Sequence, residues 1–388
     1  MGALSGLTIL DLSFWAPGRW ATMMLADLGA DVICVEMPRG TKEGTQFRED
    51  DTNIRWLMYQ RNKRSITLNL ATPGGKRIFE RLAKKADVIL ESYKPGTAAK
   101  LGVDYEAARK LNPAIVYCSV SGFGQTGPYS QLIGHEPNYQ GMAGAIYPNR
   151  SLHGEPQMLP VLVGDLAGGA TNALISILAA LHYRHESGKG QHIDVSIVAG
   201  ITHFLGIIPY AAWAKDEYRS HHSYTMGQRA DFRAYRTKDG HYVGVSPSEP
   251  VHWARFCRAV GREDLIALYE TTTRRAELVG AFTDIFASRT RAEWTAFNLE
   301  NNVAVTPVLE TMEELENDPQ MIHRGHFKEI DYEPLGRIKQ VGPPYLMSET
   351  PPEVKFMPRF GQHTAEVFEE LGFGADEIAD FRDGGACD

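Results

Sequence analysis

The sequence predicts an α/β protein, with a large Rossmann-like domain around a parallel sheet and a smaller α+β domain. Three observations predict it. The first 130 residues alternate short β-branched runs with longer stretches at helical spacing, the pattern of βαβ units that feed a parallel sheet. The 388 residues are 43% apolar and 23% charged, enough to bury a large core and to divide into two domains. A polar stretch, Lys215–Gln228, separates the first part from a region with its own hairpin signal.

In chain order, strands are predicted at Leu7–Leu12, Val32–Glu36, Ser65–Leu70, Asp87–Ser92 and Ala114–Val120. Between them Arg19–Leu28 reads as a helix closed by Gly29. Pro73–Lys85 reads as a second, with Thr72 as N-cap and Pro at the first helical position. Asp165–His185 is apolar at three- to four-residue spacing, about five turns of helix, and a strand at His192–Val195 and a helical segment at Val198–Trp213 follow. Phe232–Thr237 and His241–Val245 flank Asp239-Gly240, a strong hairpin signal. The tail from Gly336 predicts a turn-rich piece and two short helices. The large domain is thus expected to comprise 1–215 plus 331–388, and the small domain 225–330. No internal repeat is present.

Charge is unevenly distributed. Lys and Arg number 40 against 48 Asp and Glu, a net charge of −8, yet residues 1–110 carry 17 basic against 13 acidic residues. With no long basic run, nucleic acid is disfavoured as a partner, while a small polyanion held by the N-terminal part stays open. Cys34, Cys118, Cys257 and Cys387 form no CxxC pair, so reduced thiols and no structural zinc are expected. The N-terminus lacks a signal-peptide pattern, and the apolar stretch Ala170–Leu181 is too short to span a bilayer. A cytoplasmic location, or an organelle in a eukaryote, and no membrane span are expected.

Common catalytic motifs are missing or out of context. Glu36 ends the second strand, where a dinucleotide fold places its ribose ligand, but Ala16-Pro17-Gly18-Arg19 offers one glycine where that fold needs three. Gly122, Gly124 and Gly127 match G-x-G-x-x-G without a following helix, and read better as a glycine-rich loop at the carboxyl end of the sheet. There is no G-x-S-x-G and no HExxH; His182 and His185 lack a carboxylate ligand pair, and His221-His222 falls in the polar linker. Arg61, Lys63 and Arg64 suit a solvated basic face as well as they suit phosphate contact. The informative residues are Gly134-His135-Glu136-Pro137-Asn138-Tyr139, a polar turn in an apolar region, and Asp165 at the start of a long apolar helix. Asp165 reads as an N-cap, or as a functional carboxylate where free N–H groups and the helix dipole favour a developing anion. The two roles are compatible.

Leu4-Ser-Gly-Leu-Thr-Ile-Leu-Asp-Leu, Leu25-Ala-Asp-Leu-Gly-Ala-Asp-Val-Ile, Asn62-Lys-Arg-Ser-Ile-Thr-Leu-Asn-Leu, Gly122-Phe-Gly-Gln-Thr-Gly-Pro, Ile177-Leu-Ala-Ala-Leu, Ser187-Gly-Lys-Gly-Gln and Gly361-Gln-His-Thr occur in this order. Together they resemble the class III CoA-transferase family, which includes formyl-CoA transferase, carnitine CoA-transferase and α-methylacyl-CoA racemase. The resemblance runs nearly end to end. In the transferase members the aspartate matching Asp165 is a nucleophile; in the racemase members it is an acid/base opposite a histidine in G-H-D-x-N-Y. This chain matches that motif at His135, Asn138 and Tyr139 and carries Glu136 in place of Asp. Val243-Gly-Val-Ser-Pro-Ser-Glu249-Pro250 resembles the strand-end motif whose Glu partners the histidine.

The resemblance therefore implies an acyl-CoA substrate, no prosthetic group and no metal. It implies catalysis by His135, Asp165 and Glu249, with racemase chemistry ahead of CoA transfer and a non-catalytic CoA-binding module behind both. It places CoA contacts at Arg39, Asn69, Ser92, Tyr93, Lys94 and Lys100, with Gly134, Glu136, Asn138 and Tyr139 also at the ligand. Family arginines are replaced by Met37, Lys94 and Lys100, and Lys keeps the charge without bidentate geometry. An interlocked homodimer is implied, with Glu249 meeting His135 across the subunit boundary. Phe204, Tyr210 and Trp213 are expected to line the acyl pocket.

Overall fold

The computed structural model describes residues 1–39, 41, 52–146, 148–149, 155–215, 229–271 and 273–388. His221-His222 and nearly all of the expected linker lie outside them. The chain forms two compact units, residues 1–143, 160–204 and 319–388, and residues 144–159 and 205–318. The tail thus joins the first unit at Pro319, earlier than residue 331, and the second unit takes the chain from Leu205.

The first unit is built on six parallel strands: β1 (Thr8–Asp11), β2 (Asp31–Glu36), β3 (Lys63–Thr67), β4 (Val88–Glu91), β5 (Val116–Ser121) and β6 (Gln191–Ser196). Their spatial order is β3-β2-β1-β4-β5-β6, the doubly wound arrangement in which the chain reverses direction beside β1. All six are legible as β-branched runs, although β3 begins two residues before the predicted Ser65 and ends at Thr67. Both faces of the sheet are covered: Ile9, Val32, Ile33, Val88, Ile89 and Val116 are buried, as a parallel sheet between helices requires.

The helix Pro73–Lys85 has the predicted bounds, and the Thr72 side chain accepts from Gly75 N at 3.0 Å. It buries Ile78, Phe79 and Leu82 against the sheet together with Val367, Phe368 and Phe381 of the tail helices Thr364–Glu370 and Ala375–Asp383. Each such side chain contributes roughly 1.5–3 kcal/mol. The helix Ala16–Asp27 starts before the predicted Arg19, with Pro17 in its first turn, where a missing N–H costs nothing. Arg61, Lys63 and Arg64 are neither a solvated face nor phosphate ligands. Lys63 is fully buried, donating to Asp11 Oδ2 at 3.0 Å, Thr22 Oγ1 at 2.8 Å and Arg19 O at 2.9 Å. Arg61 pairs with Asp27 at 2.7 Å, and Arg64 pairs with Asp31 at 2.6 Å and Glu370 at 2.8 Å. Glu36 is likewise taken up internally, by a two-pronged pair with buried Arg19.

The predicted helix at Asp165–His185 runs from Val163 to Ser187, opening as a π-helix through Thr171. At 25 residues and a mean hydropathy of 1.3 it is long and apolar enough to cross a membrane. Its Gly168, Gly169, Ala170, Ala173, Leu174, Ile177 and Ala180 are buried within the unit, so core packing accounts for the apolar face. The segment expected to be one helix, Val198–Trp213, is two, Ile197–Phe204 and Ile207–Ala214. Gly206 between them has φ 60° and ψ −122°, a conformation open to glycine. A further hairpin, β10 (Phe327–Tyr332) and β11 (Gly336–Val341), replaces part of the expected turn-rich tail.

In the second unit β7 (Arg233–Arg236) and β8 (Tyr242–Val245) pair antiparallel around Asp239-Gly240, with Gly240 at φ 87°. An unpredicted strand, β9 (Val305–Pro307), completes the sheet. Its core is aromatic: Trp253, Phe256, Phe282, Phe286 and Trp294 pack in one cluster.

Candidate active site

The order of the sheet separates the loops that follow β1 and β4, and a crevice opens between them at the carboxyl ends of the strands. A cavity of about 440 Å³ lies there, lined among others by Phe14, Trp15, Met37, Asn69, Ser92, Tyr93 and Lys94. Four sequence candidates, Asn69, Ser92, Tyr93 and Lys94, thus line one cavity. The two loops are tied together, since Phe14 N donates to Ser92 Oγ at 3.1 Å and Leu12 N to Leu90 O at 2.8 Å. Tyr93 N donates to Glu91 at 2.6 Å, and burial pushes the Glu91 carboxyl up to about 7. Lys100 is exposed on the short helix Thr97–Leu101, one residue before the lining Leu101. Arg39 is exposed and stacks its guanidinium over Phe360 at 4.6 Å, while its backbone N–H donates to Asp388.

The glycine-rich loop after β5 is engaged within the protein at Gln125. Gln125 N donates to both oxygens of Asp194, at 3.0 and 3.1 Å. Gly122 and Gly134 are required by Tyr139, because a Cβ at either would meet its ring at 2.4 and 2.7 Å. Tyr139 in turn donates its hydroxyl to Gly134 O. That loop delivers His135 to the N-cap of the helix Glu136–Met142, where Asn138 Oδ1 accepts from His135 N at 3.0 Å.

Glu136 is buried and commits its carboxylate to the protein. It accepts from Gly164 N at 2.6 Å, Asp165 N at 3.0 Å and Gln140 Nε2 at 2.9 Å. Asp165 is therefore not the N-cap; it sits inside the first turn, and Glu136 supplies the cap from another helix. The open N–H groups expected at this helix start are also taken, because Val161 O and Leu162 O hold Val163 N and Leu166 N. Among the described residues the Asp165 carboxylate receives no hydrogen bond. Burial and the neighbouring Glu136 charge push it up to about 6, with His135 acting in the opposite sense.

Close backbone approach holds this pair. A Cβ at Gly164 would meet the Glu136 carboxylate at 2.9 Å, and a Cβ at Gly200 would meet Gly168 O at 2.1 Å. The Asp165 helix is thereby locked to both the His135 helix and Ile197–Phe204. Glu249 belongs to the second unit, at the N-cap position of the helix Pro250–Ala259, where its exposed carboxylate makes no capping hydrogen bond and lies 3.9 Å from His252 Nδ1. Sequence reasoning misses Trp15, whose indole meets His135 edge to face with centroids 6.1 Å apart. A large aromatic just after the first strand of an α/β fold is the available signal.

The doubly wound sheet thus holds a switch-point cavity lined in part by Trp15, the aromatic neighbour of His135, and Asp165 lies in the field of that histidine. The chain belongs to CoA-transferase family III, whose family model matches residues 4–364. It is 33% identical over 386 residues to the α-methylacyl-CoA racemase of Homo sapiens, covering 97% of this chain and 95% of that protein. It is 31% identical over 383 residues to the succinyl-CoA:glutarate CoA-transferase of Homo sapiens, covering 95% and 86%. The crystal structure of a CaiB/BaiF family protein from Brucella suis superposes with a TM-score of 0.79 at 28% identity, covering 95% of this chain and 99% of that one.

Proposed function

We propose that the protein inverts C2 of a 2-methylacyl-CoA by 1,1-proton transfer. The observation that carries this reading is the seating of Asp165 on the Glu136 carboxylate in the field of His135, where burial and the Glu136 charge push its carboxyl up to about 6. An acid/base works best when its pKa lies near the working pH. His135 takes the C2 proton, the C–H electron pair becomes the enolate, and protonated Asp165 returns a proton to the opposite face. In the other direction the roles exchange. The cavity at the switch point takes the coenzyme part of the substrate, with Lys94 as the cation on its wall. Glu249 orients His135 from a second copy of the chain in a homodimer, and its exposed carboxylate is consistent with a partner outside its own helix.

The test is incubation of a single-epimer 2-methylacyl-CoA in D2O without an acceptor acid. Deuterium at C2 and the opposite epimer are expected. Their absence, with CoA passing to a second carboxylate through an aspartyl thioester on Asp165, would establish the CoA-transferase reading instead. That reading draws on the 31% identity to a transferase. His135→Ala separates the two, because a transferase keeps an acyl-enzyme trappable by hydroxylamine whereas a racemase loses C2 exchange. Light scattering tests the dimer: a fully active monomer overturns it.

A further inference from the structure

We propose that Trp15 is a positioning residue that fixes the His135 imidazole and couples it to occupancy of the switch-point cavity; this rests on His135 being the C2 base. Trp15 stands where β1 gives way to the helix Ala16–Asp27, and the backbone leading to it is pinned residue by residue. Leu12 N bonds Leu90 O, Ser13 N bonds the Asp11 carboxylate at 2.9 Å, Phe14 N bonds Ser92 Oγ, and Arg19 Nε bonds Ser13 O at 3.1 Å. Pro17 follows two residues later in the first turn. The indole therefore leaves a rigid frame.

Two different neighbours share that indole. It lines the cavity beside Phe14, Ser92 and Tyr93, and it meets the His135 ring at 77° with centroids 6.1 Å apart. Trp15 keeps 40% of its surface open, so an arm running from the cavity to His135 passes along it. His135 is itself exposed at the start of its helix, where an imidazole would otherwise sample several rotamers. An edge-to-face aromatic contact selects one of them. A ligand in the cavity bears on the same indole.

The experiment subtracts the emission of Trp15→Phe from that of the wild-type enzyme, isolating one indole among six. Taken in the same way in the His135→Gln background, that emission is expected to change, because the imidazole against the indole is gone. It should stay as in wild type in Asp165→Asn, which leaves the Trp15–His135 contact in place. Coenzyme A alone should change the same emission. In D2O exchange, Trp15→Ala should lower kcat at least tenfold, Trp15→Phe should restore most of it, and the KM for acyl-CoA should rise only a few-fold. An isolated emission unchanged in His135→Gln, or a Trp15→Ala variant changed in KM alone, would overturn the proposal. Wild-type enzyme that exchanges no C2 proton overturns the base role of His135 instead, and the emission difference then reports the Trp15 contact by itself.

Discussion

Glu136 and Asp165 come from different helices, and the Glu136 carboxylate accepts the backbone N–H of Asp165 at 3.0 Å while its charge opposes ionisation of the Asp165 side chain. One carboxylate thereby positions and tunes another. Glu136→Gln removes that charge, so the Asp165 carboxyl falls back toward its ordinary range. In the proposed 1,1-proton transfer the pair carries one proton in either direction, so kcat/KM should be bell-shaped with the same limbs for both epimers. The acidic limb should move to lower pH in Glu136→Gln, with kcat down about tenfold from the lost cap. An unmoved limb would remove Glu136 from the tuning of Asp165.

Asp165→Asn should abolish C2 exchange yet raise stability at neutral pH. The folded-state carboxyl is raised from 3.8 to about 6. Between those values the folded protein holds a proton that the unfolded chain has released, so stability falls as pH rises through the window. Ionisation at pH 7 therefore costs about 3 kcal/mol, which the amide avoids. Thermal denaturation at pH 7.5 should give Asp165→Asn the higher Tm, and the advantage should disappear below about pH 4. Equal melting at pH 7.5 contradicts the assignment.

Lys63→Met leaves fully buried Asp11 with hydrogen bonds from the Ser13 and Thr22 hydroxyls and the Ser13 N–H but without its ammonium partner. Breaking one side of a buried ion pair costs about 3–5 kcal/mol, whereas replacing both sides can be neutral. Urea denaturation should show that loss for the single variant and recovery in Asp11→Leu/Lys63→Met. A single variant within about 1 kcal/mol of wild type would mean that water reaches Asp11.

Gly200→Ala places a methyl 2.1 Å from Gly168 O, so the helices bearing Gly200 and Asp165 must separate. Displacement by about 1 Å costs on the order of 100-fold in rate. Exchange should fall by that factor while coenzyme A affinity, read by calorimetry, holds. Retention of full activity would show that the Asp165 helix does not set the reacting geometry.

Ala71→Trp fills the cavity from its exposed rim. The dissociation constant for coenzyme A should rise at least tenfold with Tm unchanged, since no core contact is touched. Unaltered affinity would place the coenzyme elsewhere.

The sheet is legible in the sequence because β-branched runs recur six times with helical spacing between several of them, and Thr72-Pro73 and Asp239-Gly240 are local signals that need no partner to act. The chemistry-bearing residues are legible too, since a polar His135-Glu136 turn and a lone Asp165 interrupt apolar sequence. What those residues touch is not. Whether Lys63 faces phosphate or Asp11, whether Asp165 caps its helix or Glu136 does it for it, and whether Gly122 binds a ligand or makes room for Tyr139 depend on residues far apart in the chain. Periodicity reports which face of an element is apolar; only the packed structure decides which charge meets which, because burial fixes the partners and sets the cost of leaving one unpaired.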